Sequence, residues 1–353
     1  MNSKHLSFLI LIMMWALIVL TGSCTGISGN DTVVSLGDTD LPVKYRNYIN
    51  SAELTLLQDD TTCVVGRIEK VVETSDAYFV LNQKRTAIIK FDKQGNYIDK
   101  FYKVGHAKGE YSEIIDFSVD ETDNRIVVLC DYTKGFVCDL SFQIQKIHDW
   151  QVPIGRICAY RSKIYGLNML ENRIISLSND GSKDILQSFK PAGWVYSQTD
   201  IFHKTDDKLL VTLECDNTIY LIEDQEARPY LKYSYDYYEK AIEQLQITTQ
   251  SGFDKKPLLR IRNLDLRQDT LNLIYSKGWV IRFAKIDMTC KKLLTDGQCI
   301  GCPTPDWNGY SNSVLAGTFT DGEKFPIDTS YINRINVPFD SSVVGSVIVK
   351  YCK

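Results

Sequence analysis

Short apolar segments alternate with polar turns along most of this chain. Between residues 68 and 101, such segments cover 70–72, 78–81, 87–91 and 97–101. Segments this short, joined by turns this tight, are typical of antiparallel strands, so the stretch predicts a four-stranded meander. One sheet of this size cannot bury its own apolar faces and is only marginally stable alone. We therefore expect the rest of the chain to supply further sheets.

The same layout recurs, with apolar centres near residues 79, 127, 165, 211 and 273. A repeat of roughly 40–50 residues is typical of the blades of a β-propeller. A weaker sixth copy follows at 313–316 and 342–351, and we expect the strand-like segment 52–57 to complete that sheet from the N-terminal side. The pattern thus predicts an all-β, six-bladed β-propeller of four-stranded antiparallel blades over residues 41–353. A two-sheet sandwich is the alternative.

The interval between the fourth and fifth copies is longer than the others. Asp236 and Glu239 have the spacing of a capping box, and Tyr238, Ile242 and Leu245 repeat at helical spacing. The sequence therefore predicts a short helical insertion at 236–248.

The N-terminal residues predict a processing signal rather than part of the fold. The apolar run from Leu6 to Leu20 is shorter than the roughly 20 residues of a membrane span, and it ends in Thr21-Gly22-Ser23-Cys24. Small residues before a cysteine resemble the lipobox of bacterial lipoproteins, which implies a signal peptide at 1–23 and lipid attachment at Cys24. Residues 24–40, rich in Gly, Ser, Thr and Asp, predict a flexible tether. An ordinary cleaved signal peptide and an uncleaved transmembrane helix are the alternatives.

Composition narrows the function classes. The formal net charge is −4 and no basic patch stands out, so nucleic acid is not an expected partner. Of ten cysteines, four lie in strand-like apolar runs and are expected to be buried thiols: Cys130, Cys138, Cys158 and Cys215. Cys299 and Cys302 form the one close pair, for which we favour a loop disulfide or two free thiols over a zinc or redox site.

The segment after the first meander carries a family resemblance. Its glycine-rich connection contains Gly105, Gly109, Glu110 and Tyr111, with Ala107 and Lys108 where glycine and proline are usual. This segment resembles the six-bladed β-propeller lipoproteins of Gram-negative gut bacteria, which are similar to NHL-repeat propellers. The resemblance implies a cell-envelope protein, anchored in the outer membrane and facing the periplasm or the surface. Most members of that family have no established activity.

Candidate chemistry is sparse. His106, Glu110 and Tyr111 are candidate binding residues at the first blade connection, although Glu110 and Tyr111 could equally pin the loop. A phosphate-binding role is disfavoured there because strands, and no helix, flank the loop. His106, His148 and His203 are far apart in sequence, so we predict no metal site and no cofactor.

The tyrosines at 230, 233, 235, 237 and 238 could stack on sugar rings, but packing of the inserted helix is favoured. The sequence contains no Gly-x-Ser-x-Gly motif, and no catalytic constellation is recognisable. We therefore expect a lipid-anchored binding or scaffold module for a glycan, peptide or protein partner, and no enzyme. The alternative is a metal-dependent propeller lyase or hydrolase with its site in the central channel.

Overall fold

The structure is a computed structural model that describes part of the chain: residues 32–39, 41–44, 51–58, 61, 63–178, 181–187, 200–205, 207–213, 216–236, 259–277, 280–300, 310–311, 314–319, 332–335 and 345–352. The chain divides into two compact units, 1–33 and 34–353, and the fold described below is that of the second. The predicted signal peptide, Cys24, Cys215, Cys302 and residues 237–248 of the predicted helix lie outside the described residues.

The described elements are all strands, in agreement with the predicted all-β class. In chain order they are β1 (Val33–Ser35), β2 (Pro42–Lys44), β3 (Ser51–Leu56), β4 (Lys70–Glu73), β5 (Ala77–Leu81), β6 (Ile88–Asp92), β7 (Tyr97–Phe101), β8 (Ile114–Asp120), β9 (Arg125–Cys130), β10 (Lys134–Cys138), β11 (Ile144–Asp149), β12 (Ile154–Tyr160), β13 (Lys163–Asn168), β14 (Arg173–Ser178), β15 (Gly181–Gln187), β16 (Phe202–Lys204), β17 (Leu209–Thr212), β18 (Thr218–Glu223), β19 (Glu226–Ser234), β20 (Leu259–Arg267), β21 (Thr270–Lys277), β22 (Val280–Asp287), β23 (Lys292–Ile300), β24 (Tyr310–Ser311), β25 (Val314–Phe319), β26 (Ile332–Ile335) and β27 (Gly345–Cys352).

These strands form six sheets, which we number as blades 1 to 6 in chain order. Blades 1, 2 and 3 are the antiparallel meanders β4–β7, β8–β11 and β12–β15. Blades 4 and 5 contain the meanders β16–β19 and β20–β23, and blade 6 has the order β24-β25-β27-β3-β26. The predicted six-bladed propeller is confirmed, and its strands fall on the apolar segments of the sequence.

Blade 6 joins the two ends of the described domain. Strand β3, from the N-terminal part, pairs antiparallel with the last strand β27, with Leu54 opposite Val349 and Ser51 opposite Cys352. The predicted completion of the last sheet by segment 52–57 is thereby confirmed. This pairing gives the closing sheet the backbone partners that an open edge would lack.

Three blades have five strands, and in blades 4 and 5 the fifth strand comes from an N-terminal segment that the sequence did not predict as a strand. Strand β1 lies beside the outer strand β19 of blade 4, and β2 pairs in parallel with β23 of blade 5. Val34 and Leu36, within the stretch predicted as a flexible tether, are buried, and the Leu36 amide donates to the Ser234 carbonyl at 2.8 Å. The two alternate apolar positions of this short segment suffice to place it on a sheet edge.

The blades pack face to face through apolar side chains. Between blades 1 and 2, the aromatic rings of Phe101 and Phe136 lie 5.5 Å apart, and Phe79 meets Phe142 at 5.9 Å, both edge to face. These side chains belong to one buried cluster that spans the two sheets. The first strand of each meander is the inner strand of its blade, and β24 is the inner strand of blade 6. The inner strands of successive blades contact one another around the ring, so they surround a central channel. Within the described part of the chain, none of the elements is a helix that could cross a membrane.

Candidate functional site

A cavity of about 470 Å³ lies among the inner strands of five blades. It is formed by the carboxyl-terminal parts of β4, β8, β12 and β16 and by the middle of β20. Its charged lining residues are Lys70, Glu73, Asp120, Glu121, Arg161, Asp200, Lys204 and Arg262. A cavity of this size is in the range that proteins use for small ligands. We call it the channel cavity.

The floor of the channel cavity contains a buried ion cluster. The Lys70 ammonium on β4 donates to Asp116 Oδ1 of β8 at 2.8 Å and to Asp200 Oδ1, just before β16, at 3.0 Å. Asp116 is 3% exposed, and its Oδ2 accepts the Ile157 amide of β12 at 2.9 Å. Burial by itself lowers the pKa of Lys70, but the Asp116 and Asp200 carboxylates outweigh it and raise the pKa above its usual value. The cluster thus links four blades across the channel.

A second lysine crosses the channel from blade 4 to blade 2. The Lys204 ammonium donates to Ser118 Oγ at 3.0 Å and to the Val119 carbonyl at 2.6 Å. Burial lowers the pKa of Lys204. The Ser118 hydroxyl also accepts the Ala159 amide at 3.0 Å, so blades 2, 3 and 4 meet at this one oxygen.

Two further polar groups in the wall are held in their neutral forms. Burial lowers the pKa of His203 to about 4, and its Nε2 lies 3.0 Å from Thr212 Oγ1. Burial raises the pKa of the Cys158 thiol, which is 1% exposed. A neutral imidazole and a protonated thiol carry no charge. The charged groups that line the cavity are therefore its lysines, arginines and carboxylates.

The rim of the channel cavity carries side chains with opposite charge. Glu121, which follows β8, accepts the Ser75 amide at 2.9 Å and is hydrogen-bonded to the Ser75 hydroxyl. Arg161, which follows β12, donates to the Asp207 carbonyl at 2.9 Å, and its guanidinium lies 5.1 Å from the centre of the Tyr160 ring. The Tyr160 hydroxyl is buried and has no hydrogen-bond partner among the described residues.

The candidate binding residues predicted from the sequence lie elsewhere. His106, Glu110 and Tyr111 belong to the connection between β7 and β8, at the amino end of β8, whereas the cavity is at its carboxyl end. A strand of this length spans about 20 Å. His106 is exposed, and Glu110 accepts the Ala107 amide at 2.8 Å. Their role in binding stays a prediction.

Tyr111 fixes the connection between β7 and β8. It is 1% exposed, donates to the Thr86 carbonyl at 2.8 Å and accepts the Lys103 amide at 3.1 Å. Its ring stacks on Phe101 at 5.6 Å. These contacts support the alternative in which Tyr111 pins the loop, and a role of Tyr111 in binding stays a prediction.

The channel residues were missed because they are polar residues within or at the ends of short strands that also carry apolar residues. Asp116 lies within Ile114–Asp120, where every residue is buried, and Lys204 ends Phe202–Lys204. A buried charge in an inner strand is the signal that could have found them, since such a charge needs a partner. The partners come from other blades, which the sequence of one blade does not reveal.

Six cysteines of the described residues are free: Cys63, Cys130, Cys138, Cys158, Cys290 and Cys299. Cys130, Cys138 and Cys158 are buried thiols, as predicted, and Cys63 is a further buried thiol. Cys299 is free and half-buried. Among the described residues, no three His, Cys, Asp or Glu side chains are placed together as ligands for a metal ion.

The fold is that of a six-bladed β-propeller with a cavity among its inner strands. Residues 24–258 match the model of the DUF5128 family, described as a 6-bladed beta-propeller, and since the match covers more than half of the chain, the protein belongs to this family. The predicted family resemblance, as far as the propeller is concerned, is confirmed.

The chain is similar to solved structures. A candidate exported protein from Bacteroides fragilis NCTC 9343 is 12% identical, with a TM-score of 0.60 over 92% of this chain and 99% of that one. A member of the duf4221 family from Bacteroides vulgatus ATCC 8482 is 9% identical, with a TM-score of 0.49 over 86% of this chain and 96% of that one. No curated protein matches the chain.

Proposed function

We propose that this protein is a lipid-anchored binding module of the bacterial cell envelope, which recognises a glycan, a peptide or a segment of an envelope protein in its channel cavity. The observation that carries this proposal is the cavity itself, enclosed by inner strands of five blades over a floor of paired charges. Cross-channel ion pairs and hydrogen bonds hold the floor rigid, and a rigid polar pocket loses little entropy when it binds.

Two observations support the cellular address. The N-terminal apolar run followed by Cys24 has the pattern of a lipoprotein signal, and a doubly or triply acylated cysteine gives stable anchoring. The similar protein from Bacteroides fragilis is a candidate exported protein. We therefore propose the outer membrane as the site of anchoring, with the propeller facing the periplasm or the surface.

The anchor is tested by replacing the acylated residue. We expect the full chain, expressed in a Gram-negative host with a labelled fatty acid, to carry the label and to sediment with membranes. Cys24→Ala should lose both properties. Equal labelling, or equal membrane association of the two proteins in high salt, would contradict the anchor and leave the cavity proposal intact.

The binding function is tested with residues 25–353 on glycan and peptide arrays. Thr122 is exposed at the rim, and Thr122→Trp places a large ring over the opening without changing the core. Ser141→Trp, an exposed turn residue outside the cavity lining, is the matched control. We expect at least one array ligand that binds the wild type and Ser141→Trp but not Thr122→Trp. Ligands that bind all three proteins equally, or no ligand at all, would overturn the cavity as the binding site.

A further inference from the structure

The charges of the channel cavity are segregated between blades. Lys70, Lys204 and Asp200 are engaged in the contacts of the channel floor. Of the other charged lining residues, the carboxylates come from blades 1 and 2 and the cations come from blades 3 and 5. The carboxylates are Glu73, Asp120 and Glu121, and the cations are Arg161 and Arg262. The lining groups of opposite charge are therefore separated by blade, with Glu121 on blade 2 and Arg161 on the neighbouring blade 3.

Several of these groups are occupied by pairing within the protein. Glu73 pairs with Lys93 at 2.6 Å, and Asp120 lies 3.4 Å from Arg125. Arg262 is engaged within blade 5, where its Nε donates to Ser276 Oγ at 3.1 Å.

Within the described part of the chain, neither Glu121 nor Arg161 has an oppositely charged side chain at salt-bridge distance. Arg161 acts on the exposed Asp207 only from further away: the pKa of Asp207 is lowered first by its hydrogen bond with Lys208 and to a smaller extent by the charge of Arg161. Glu121 and Arg161 are both exposed at the rim. The rim thus presents one anion, Glu121, and one cation, Arg161, to a ligand.

A third group points to the same conclusion. Tyr160 lines the cavity and precedes Arg161 in the chain, and its buried hydroxyl has no hydrogen-bond partner among the described residues. Buried hydroxyls in folded proteins nearly always have a partner, because an unsatisfied one destabilises the fold. A ligand group beside Arg161 would supply that partner.

We propose that the channel cavity binds a small zwitterion of the free dipeptide type. The ligand ammonium pairs with Glu121. The ligand carboxylate pairs with Arg161 and accepts a hydrogen bond from the Tyr160 hydroxyl. A simple anion would leave Glu121 without an oppositely charged ligand group, and a simple cation would leave Arg161 without one. The cavity volume of about 470 Å³ suits a ligand of this size. This inference rests on the proposed function and names its ligand class.

The test is calorimetric titration of residues 25–353 with three free dipeptides, Ala-Ala, Ala-Tyr and Ala-Glu. Each is compared with its N-acetylated, C-amidated and doubly blocked forms, and maltose is the neutral sugar probe. We expect the best free dipeptide to bind at least about tenfold more tightly than either singly blocked form, because each block removes one charge-assisted hydrogen-bonding group.

Single substitutions assign the two ends of the ligand. Glu121→Gln should remove the preference for a free amine, and Arg161→Gln should remove the preference for a free carboxylate, each without affecting the other preference. Glu226→Gln changes an exposed carboxylate on the outer strand of blade 4, far from the lining, and should leave both preferences unchanged.

Tyr160→Phe separates a ligand contact from a structural role. We expect it to weaken dipeptide binding several-fold while the thermal unfolding midpoint stays the same or rises, because the variant removes an unsatisfied hydroxyl. A lower midpoint together with unchanged binding would overturn the role of Tyr160 and with it the proposed carboxylate subsite.

The remaining outcomes distinguish the two proposals. If maltose or a doubly blocked dipeptide binds as tightly as the free dipeptide and Thr122→Trp abolishes that binding, the zwitterion inference is overturned while the cavity remains the binding site. If free dipeptides bind equally to Thr122→Trp, or do not bind at all, the inference is also overturned. The proposed function then fails only if the arrays, too, show no ligand sensitive to Thr122→Trp.

Discussion

The ammonium group of Lys70 lies between carboxylates that belong to two other blades. Its side chain is 15% exposed and that of Asp116 is 4% exposed. In such surroundings, removing one member of a pair leaves an uncompensated charge in the interior, which costs far more than the pair itself contributes. Lys70 is therefore important for the stability of the channel floor mainly because its loss would leave the Asp116 carboxylate buried without a cation.

We expect Lys70→Met to lower the free energy of unfolding by about 3–5 kcal/mol in urea titrations. The matched control is Lys208→Met, which removes a lysine paired at 2.5 Å with an Asp207 side chain that is 66% exposed. An exposed pair of this kind contributes about 0–1 kcal/mol. Equal losses in the two variants would contradict the account of the floor.

His203 makes the stability of the domain sensitive to mild acid. Its folded pKa of about 4 lies below its ordinary value of 6.5. In that window the unfolded chain binds a proton that the folded chain does not, so the stabilisation is full above pH 6.5 and is lost as the pH falls through 4. The loss from this group amounts to at most about 3 kcal/mol.

His203→Gln should make the free energy of unfolding depend less on pH in this range. Unfolding free energies measured at intervals between pH 7 and pH 4 should fall less steeply in the variant than in the wild type. His106→Gln, which changes an exposed side chain, should keep the wild-type slope. A wild-type slope in His203→Gln would show that other groups cause the acid sensitivity.

At the scale of elements, the turn between β6 and β7 contacts the strand that closes the ring. Gly95 has a φ of +90°, and a Cβ atom there would collide with the Leu56 carbonyl oxygen of β3. The Gly95 carbonyl also accepts the Gln58 amide at 2.8 Å. Blade 1 therefore packs on the closing strand through backbone atoms, which cannot move aside as a flexible side chain can.

Gly95→Ala should destabilise the domain by more than the conformational strain alone, which is about 1–2 kcal/mol for a residue in the left-handed region. Gly109→Ala is the control, because its φ is +89° but the nearest atom to its Cβ would be Ile147 Cδ1 at 3.7 Å. Thermal and urea unfolding should rank the wild type above Gly109→Ala and Gly109→Ala above Gly95→Ala. Equal costs would mean that the contact with β3 relaxes freely.

The elements themselves could be predicted because their signal is local. The five predicted apolar centres, near residues 79, 127, 165, 211 and 273, all fall within the second strand of a meander. Strands β1 and β2 could not be placed in this way, since each has three residues and a single buried position in polar surroundings. Their position is decided by the outer edges of β19 and β23, which are distant in sequence.

The channel cavity could not be predicted for a related reason. Lys70, Asp116 and Lys204 are separated by tens of residues, and only closure of the ring brings them together. The loop from Gly105 to Tyr111 is recognisable in the sequence because its residues are contiguous. Its Tyr111 side chain fixes a blade connection. Contiguous motifs reveal the scaffold, whereas a site built from several blades shows only as isolated polar residues in apolar strands.

At the scale of the whole molecule, the ring depends on β3. A chain of residues 59–353 lacks this strand and leaves β27 with an unpaired edge, so we expect it to aggregate or to unfold without cooperativity. Residues 51–353 should retain a cooperative transition, although β1 and β2 are absent. Circular dichroism during thermal unfolding distinguishes the two chains.

Restoring β3 at the other end should rescue the fold. Because Cys352 pairs with Ser51, an Asn-Gly turn can join residues 59–352 directly to 51–58 as a hairpin. We expect this permuted chain to unfold at a temperature close to that of residues 51–353. Cooperative folding of residues 59–353 without any β3, or failure of the permuted chain, would contradict closure by this strand.

A crystal structure of residues 25–353 grown with the tightest-binding free dipeptide tests the central claim most directly, namely that this propeller recognises its ligand in the channel cavity. We predict electron density for the dipeptide between Glu121 and Arg161, with the Tyr160 hydroxyl within hydrogen-bond distance of its carboxylate. A dipeptide bound on any other surface, with the cavity filled only by water, would contradict the account.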